Sequence, residues 1–113
     1  MSDLIQSRSD IEKVLHESDF VAATFSQINK DLREIDAQIQ MENNKDPLNS
    51  FINQLGNIFK ELGDTEKLAH FIYRVDLNEV DFKNALFNSN WTELAYLVIR
   101  REAQKVYLRR RFA

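Results

Sequence analysis

Residues 46–63 read DPLNSFINQLGNIFKELG, and this stretch has the marks of an amphipathic helix with both ends defined. Asp46 is a good N-cap. Pro47 at the first helical position costs no hydrogen bond, because the first N–H groups of a helix have no acceptor within it. Phe51, Ile52, Leu55, Ile58, Phe59 and Leu62 recur at spacings of three and four, one face of a helix, and Gly63 suits a left-handed C-terminal cap. Gly56 lies inside the pattern, where glycine costs ~1 kcal/mol relative to alanine. The expectation for it is a close approach by a neighbouring helix.

Downstream, Asp64-Thr65 starts a short helix carrying Leu68, Ala69, Phe71, Ile72 and Val75. Asp76 or Asn78 can cap the next, with Val80, Phe82, Leu86 and Phe87. Asn88-Ser89-Asn90 reads as a turn, and Asn90 followed by Glu93 resembles a cap before a last helix bearing Trp91, Leu94, Ala95, Leu97, Val98, Ile99, Ala103 and Val106. Phe51, Leu55, Phe59, Phe71, Leu86, Trp91, Leu94 and Val98 are the expected core.

Upstream, Ser9-Asp10-Ile11-Glu12 is a capping-box pattern. From Ile11 a seam runs through Val14, Ser18, Val21, Phe25, Ile28, Leu32, Ile35 and Ile39 in steps of three and four. A single helix over 10–42 would be ~50 Å long, too long for a compact chain of this size, whose radius of gyration is ~13 Å. Two resolutions are open: a break near Ser18-Asp19, or a rod that packs on another molecule. The break is favoured, since Ser18 is the one polar residue in the seam. Flanking charges argue the same way. In a parallel homodimer Asp31 would oppose Asp36 of the partner, and no attractive pair compensates. Leu15, Phe20, Ala22 and Ala23 widen the stripe to what a globular core needs. Residues 42–46 read as a loop and 1–8 as disordered.

Glycine and proline are scarce in the 113 residues, with two and one respectively. A β-sandwich or barrel needs turn residues every eight to twelve positions, and a phosphate-cradling loop needs several glycines together; neither is present. No stretch alternates with period two. The chain is therefore expected to be a single all-α domain over 1–113, an irregular bundle of about five helices. Cysteine is absent, which excludes disulfides, thiolate zinc sites and cysteine nucleophiles. The N-terminus lacks a signal-like apolar run, and the longest apolar stretch, Leu94 to Ile99, is far below the ~20 residues that span a bilayer. The expected location is cytoplasmic.

The segments LAHFIYRVDLNEVDF and TELAYLVIRREAQKVYLRRRF resemble the C-terminal half of small all-helical proteins found in Bacteroidetes-type bacteria, a group with no assigned function. The resemblance covers Leu68 to Phe112. It implies an all-helical fold and a bacterial origin, and it contains no catalytic signature.

Residues able to do chemistry are sparse. Each histidine follows a glutamate by four positions, Glu12 with His16 and Glu66 with His70. Helical di-metal sites use Glu-x-x-His with further glutamates on partner helices; the spacing here is one residue too long. None of the seven serines sits in a glycine-flanked elbow. The chain is read as a non-enzyme without metal or cofactor. Charge is more informative. Residues 100–113 carry net +5, from Arg100, Arg101, Lys105, Arg109, Arg110 and Arg111 against Glu102, whereas the rest carries −8. Those six cations are the candidate partner-binding residues, with Arg101, Lys105 and Arg109 forming one ridge at four-residue spacing. Helix-dipole complementarity, or a basic tail folded on an acidic body, would produce the same pattern. The functional expectation is an adaptor, regulator or small subunit of a bacterial assembly, working as a monomer or weak homodimer. The alternative is RNA or polyanion binding through the basic helix, against which the pI of about 5.4 counts.

Overall fold

A computed structural model describes residues 8–15, 17–42 and 46–111. Within these it places six α-helices and no strand: α1 (Arg8–Val14), α2 (Ser18–Leu32), α3 (Pro47–Leu62), α4 (Glu66–Val75), α5 (Glu79–Phe87) and α6 (Trp91–Arg111), with a 3-10 turn at Arg33–Ile35. No helix among the described residues is long and apolar enough to cross a membrane. The all-α bundle expected from the sequence is what forms, with a Cα radius of gyration of 13.2 Å.

Helix ends follow local chemistry in the second half of the chain. Asp46 accepts from Asn49 N at 3.1 Å and caps α3. Thr65 accepts from Leu68 N and caps α4. Asn78, rather than Asp76, caps α5 by accepting from Val80 and Asp81 N. Asn90 accepts from Glu93 N at the start of α6. Asp76 instead ends α4 in the left-handed conformation, φ 65°. These caps satisfy donors that a helix N-terminus otherwise leaves without a partner.

The first half departs from its sequence pattern in three ways. The rod breaks between Val14 and Ser18, as favoured, but Ser18 is the first helical residue; Glu17 precedes it and makes no side-chain cap. Ser9 lies inside α1, which starts at Arg8, so the residue expected to cap the helix is already part of it. Arg8 is therefore helical although 1–8 was expected to be disordered; residues 1–7 and 43–45 lie outside the described residues, as does His16.

The third departure is the largest. The seam was read as helical to residue 42, but α2 ends at Leu32 and Asp36 adopts φ 57°. Beyond it the chain is irregular, and yet Ile35 and Ile39 are buried. Side-chain amides supply what the helix no longer does. Asn29 donates to Ile39 O at 3.1 Å and accepts from Ile39 N at 2.8 Å. Gln54 on α3 does the same for Gln40, at 2.8 and 2.7 Å. Two amides thus mimic a strand partner for one extended segment, so its backbone is not left without hydrogen bonds.

α6 is the central element. Leu94, Ala95, Leu97, Val98 and Ile99 are all buried, so this part of the helix has apolar contact nearly all round. α2, α3, α4 and α5 pack against it, α3 most extensively. Of the expected core, Phe51, Leu55, Phe59, Phe71, Leu94 and Val98 are buried, whereas Leu86 and Trp91 are only partly covered. Phe59 and Phe71 meet with ring centroids 5.7 Å apart, joining α3 to α4.

Gly56 does not mark a close helix crossing. A Cβ built there would meet only Trp91 O, at 3.9 Å, an ordinary contact. Gly56→Ala should therefore raise stability by ~1 kcal/mol, whereas Phe59→Ala should cost ~3–5 kcal/mol. Urea denaturation of the two variants checks both signs.

Candidate functional site

The sequence singles out the cations of α6, and the fold turns most of them onto the protein's own surface. Arg101 pairs with Asp76 at 3.2 Å. Arg109 donates to Gln27 Oε1. Arg110 donates to Asp19 O at 3.0 Å and lies over the Phe20 ring at 5.2 Å. Arg100 stacks over Tyr96 at 5.8 Å, and Arg111 is exposed. The ridge of Arg101, Lys105 and Arg109 exists as the spacing predicts, but its cations bond to α2 and to the end of α4, with Lys105 and Arg101 partly covered and Arg109 exposed. A basic helix folded against an acidic body is the arrangement in this structure.

Lys105 reaches deepest. Its Nζ is 3.1 Å from Asp31 Oδ2, 2.7 Å from Glu102 Oε1 and 3.4 Å from Val75 O. Asp31 and Glu102 are 3% and 0% exposed, which makes them a buried carboxyl pair. Gln27 Nε2 donates to Asp31 Oδ2 at 3.3 Å, and Arg74 Nε approaches Oδ1 at 3.5 Å while its other end pairs with Glu34.

The two carboxyls are driven apart electrostatically. For Asp31 desolvation is the largest influence and raises its pKa, but hydrogen bonds from Glu102, Lys105 and Gln27, with the charge of Lys105, outweigh it and hold the group below its ordinary value. For Glu102 desolvation again comes first, and the hydrogen bond to Asp31 acts in the same direction; together they overcome Lys105 and push the pKa up to about 9. Sequence reading saw no buried carboxyl pair. The signal was faint: Glu102 is the single acid in a basic run, at a position flanked by the apolar Ile99, Ala103 and Val106.

Arg101 also lines a second feature. α4, α5 and α6 enclose a groove of roughly 860 Å³ whose walls include Tyr73, Leu77, Phe82, Leu97 and Arg100. Beside it α5 buries only Ala85 among its nine residues. Val80 and Phe87 are 65% and 89% exposed, and Tyr73 on α4 is 87% exposed. Val80 and Phe87 are seven residues apart, nearly two full turns, and so share one face of α5. The groove rim is internally neutralised by the pairs Asp76–Arg101 and Glu79–Lys83.

Glu66 and His70 are both exposed, and the Glu12–His16 pair lies outside the described side chains. Among the described residues no three His, Asp or Glu side chains converge as metal ligands. Comparison with protein families, with curated proteins and with solved structures finds no match for this chain.

Lys105 should matter most to stability among the six cations. Lys105→Met removes the ammonium that contacts both buried carboxyl groups, leaving Asp31 only the more distant Arg74, and should cost ~3 kcal/mol, near the cost of breaking a buried pair. Arg101→Ala removes a pair whose acid is largely exposed and should cost about 1 kcal/mol or less. Reversing Arg101, Lys105 and Arg109 together to Glu should unfold the protein, a result that circular dichroism reads directly.

Proposed function

We propose that the chain is a non-enzymatic protein-interaction module, an adaptor or small subunit, whose partner docks across the outer face of α5 and the adjoining groove. The observation that carries this reading is the exposure of Val80 and Phe87 on one face of a helix that buries one side chain, with Tyr73 of α4 exposed at the adjoining groove. Large exposed apolar groups favour association, because covering them removes their area from water. The paired rim charges leave little net field there, so apolar fit rather than charge would select the partner.

This moves the docking surface away from the six cations of α6. RNA or polyanion binding through those cations would require Lys105 and Arg109 to leave Asp31 and Gln27, and that exchange weighs against it.

A photo-crosslinking residue placed at Phe87 in the full chain, expressed in the native host, should give one dominant protein adduct. The same residue at Lys60, exposed on α3, should give none. Val80→Ser with Phe87→Ser should remove the interaction while changing stability by no more than ~1 kcal/mol, as expected for exposed sites. Equal adducts from both positions, or adducts with nucleic acid alone, would overturn the proposal.

A further inference from the structure

The buried carboxyls where α2 meets α6 pose a problem of donors. Neither oxygen of Glu102 accepts a directed hydrogen bond; the 2.7 Å approach of Lys105 to Oε1 is an ion-pair contact rather than a directed bond. An ionised carboxylate is acceptor-only and calls for several donors, so an unsatisfied one at zero exposure would be costly. Charge counting leads to the same place. From α2 the cluster receives Asp31, from α4 Arg74, from the 3-10 turn Glu34, and from α6 itself Lys105. Arg109 is engaged by Gln27, and Arg101 by Asp76 at the end of α4. α3 contributes no buried charge, since Lys60 and Glu61 are exposed, and α5 contributes none either. Among the described residues of the cluster, Lys105 balances Asp31, Arg74 balances Glu34, and no cation remains for an ionised Glu102.

We infer that Asp31 and Glu102 share one proton, carried by Glu102 and donated to Asp31, and that this proton latches the second half of α6 onto α2. With the proton in place the pair is one charge and one hydrogen bond. Without it two carboxylates face each other in a dry site with one ammonium between them, and their repulsion opposes the contact that holds Lys105, Val106 and Arg109 against α2. Loss of the proton therefore loosens α6 beyond Ala103 and uncovers the basic ridge.

The sign of the pH effect follows from Glu102 holding its proton more tightly in the folded chain than in the unfolded one. Below the ordinary glutamate range both states are protonated and the pair costs nothing. As pH rises from there towards about 9, the folded chain alone keeps the proton, so stability falls with pH, by at most about tenfold in the folding constant per pH unit. Asp31, held below its ordinary value, works in the other direction, and its contribution is lost only in acid.

Carbon-13 NMR of the carboxyl groups across pH 4–10 tests the inference on the full chain. The Glu102 carboxyl should titrate near pH 9, and the methyl groups of Val106, 3% exposed, should shift with the same midpoint. Glu102→Gln keeps the shape and one donor without the titration. Its Val106 methyls should stay fixed over that range, and its melting temperature should exceed that of the wild type by a margin that grows from pH 5 to pH 9. A Glu102 midpoint in the ordinary glutamate range would overturn the shared proton. Parallel pH profiles for wild type and Glu102→Gln, or Val106 methyls that ignore the Glu102 titration, would overturn the latch.

Discussion

The packing of α6 against four other helices is the constraint from which the rest of the molecule follows. Between Leu94 and Ile99 this helix has five buried side chains in six positions, so it can exist only with neighbours on nearly every side. α3 supplies the broadest contact, and α2, α4 and α5 close the remaining sides. A helix surrounded in this way cannot slide or rotate without opening voids, and voids in a packed core are costly. The short connections after Leu62, Val75 and Phe87 then leave α4 and α5 little choice of position.

Further along α6 the surroundings change from apolar to polar, and Glu102 is the residue at which the change occurs. It is as deeply buried as Val98, yet it faces Asp31 and Lys105. Burying polar groups in this way adds little to stability compared with a hydrophobic replacement. It does make the contact between α2 and α6 specific in register, because Lys105 must reach Asp31 and Arg109 must reach Gln27 at once. The cluster is thus a positional key, and the proton on Glu102 makes it a key that responds to pH.

α5 stands at the other extreme. Its apolar residues divide into two groups around the helix: Phe82 and Leu86, with Ala85, turn towards the body, while Val80 and Phe87 turn away. A helix held by so few buried groups adds little to the stability of the fold. Its exposed apolar pair contributes nothing to the core, and it is the surface on which the proposed docking rests. The division was readable in the spacing, since positions 80 and 87 coincide around a helix while 82 and 86 lie on another side.

The all-helical class, the starts of α3 to α6 and most of their core were legible in the order of residues, because caps and apolar periodicity act within one or two turns and need no knowledge of the neighbours. Asp46, Thr65, Asn78 and Asn90 each bond to backbone no more than three residues away. Periodicity misled at Ile35 and Ile39, where a helical repeat continues through a chain that has left the helix. Their burial depends on Asn29 and Gln54 meeting the backbone across ten and fourteen positions. The basic ridge was visible as spacing, but its direction was not, since Lys105 and Asp31 are 74 residues apart and nothing local distinguishes an outward ridge from an inward one. The raised pKa of Glu102 belongs to the same class. It is set by burial and by a second carboxyl on another helix, and such quantities exist only once the chain has folded.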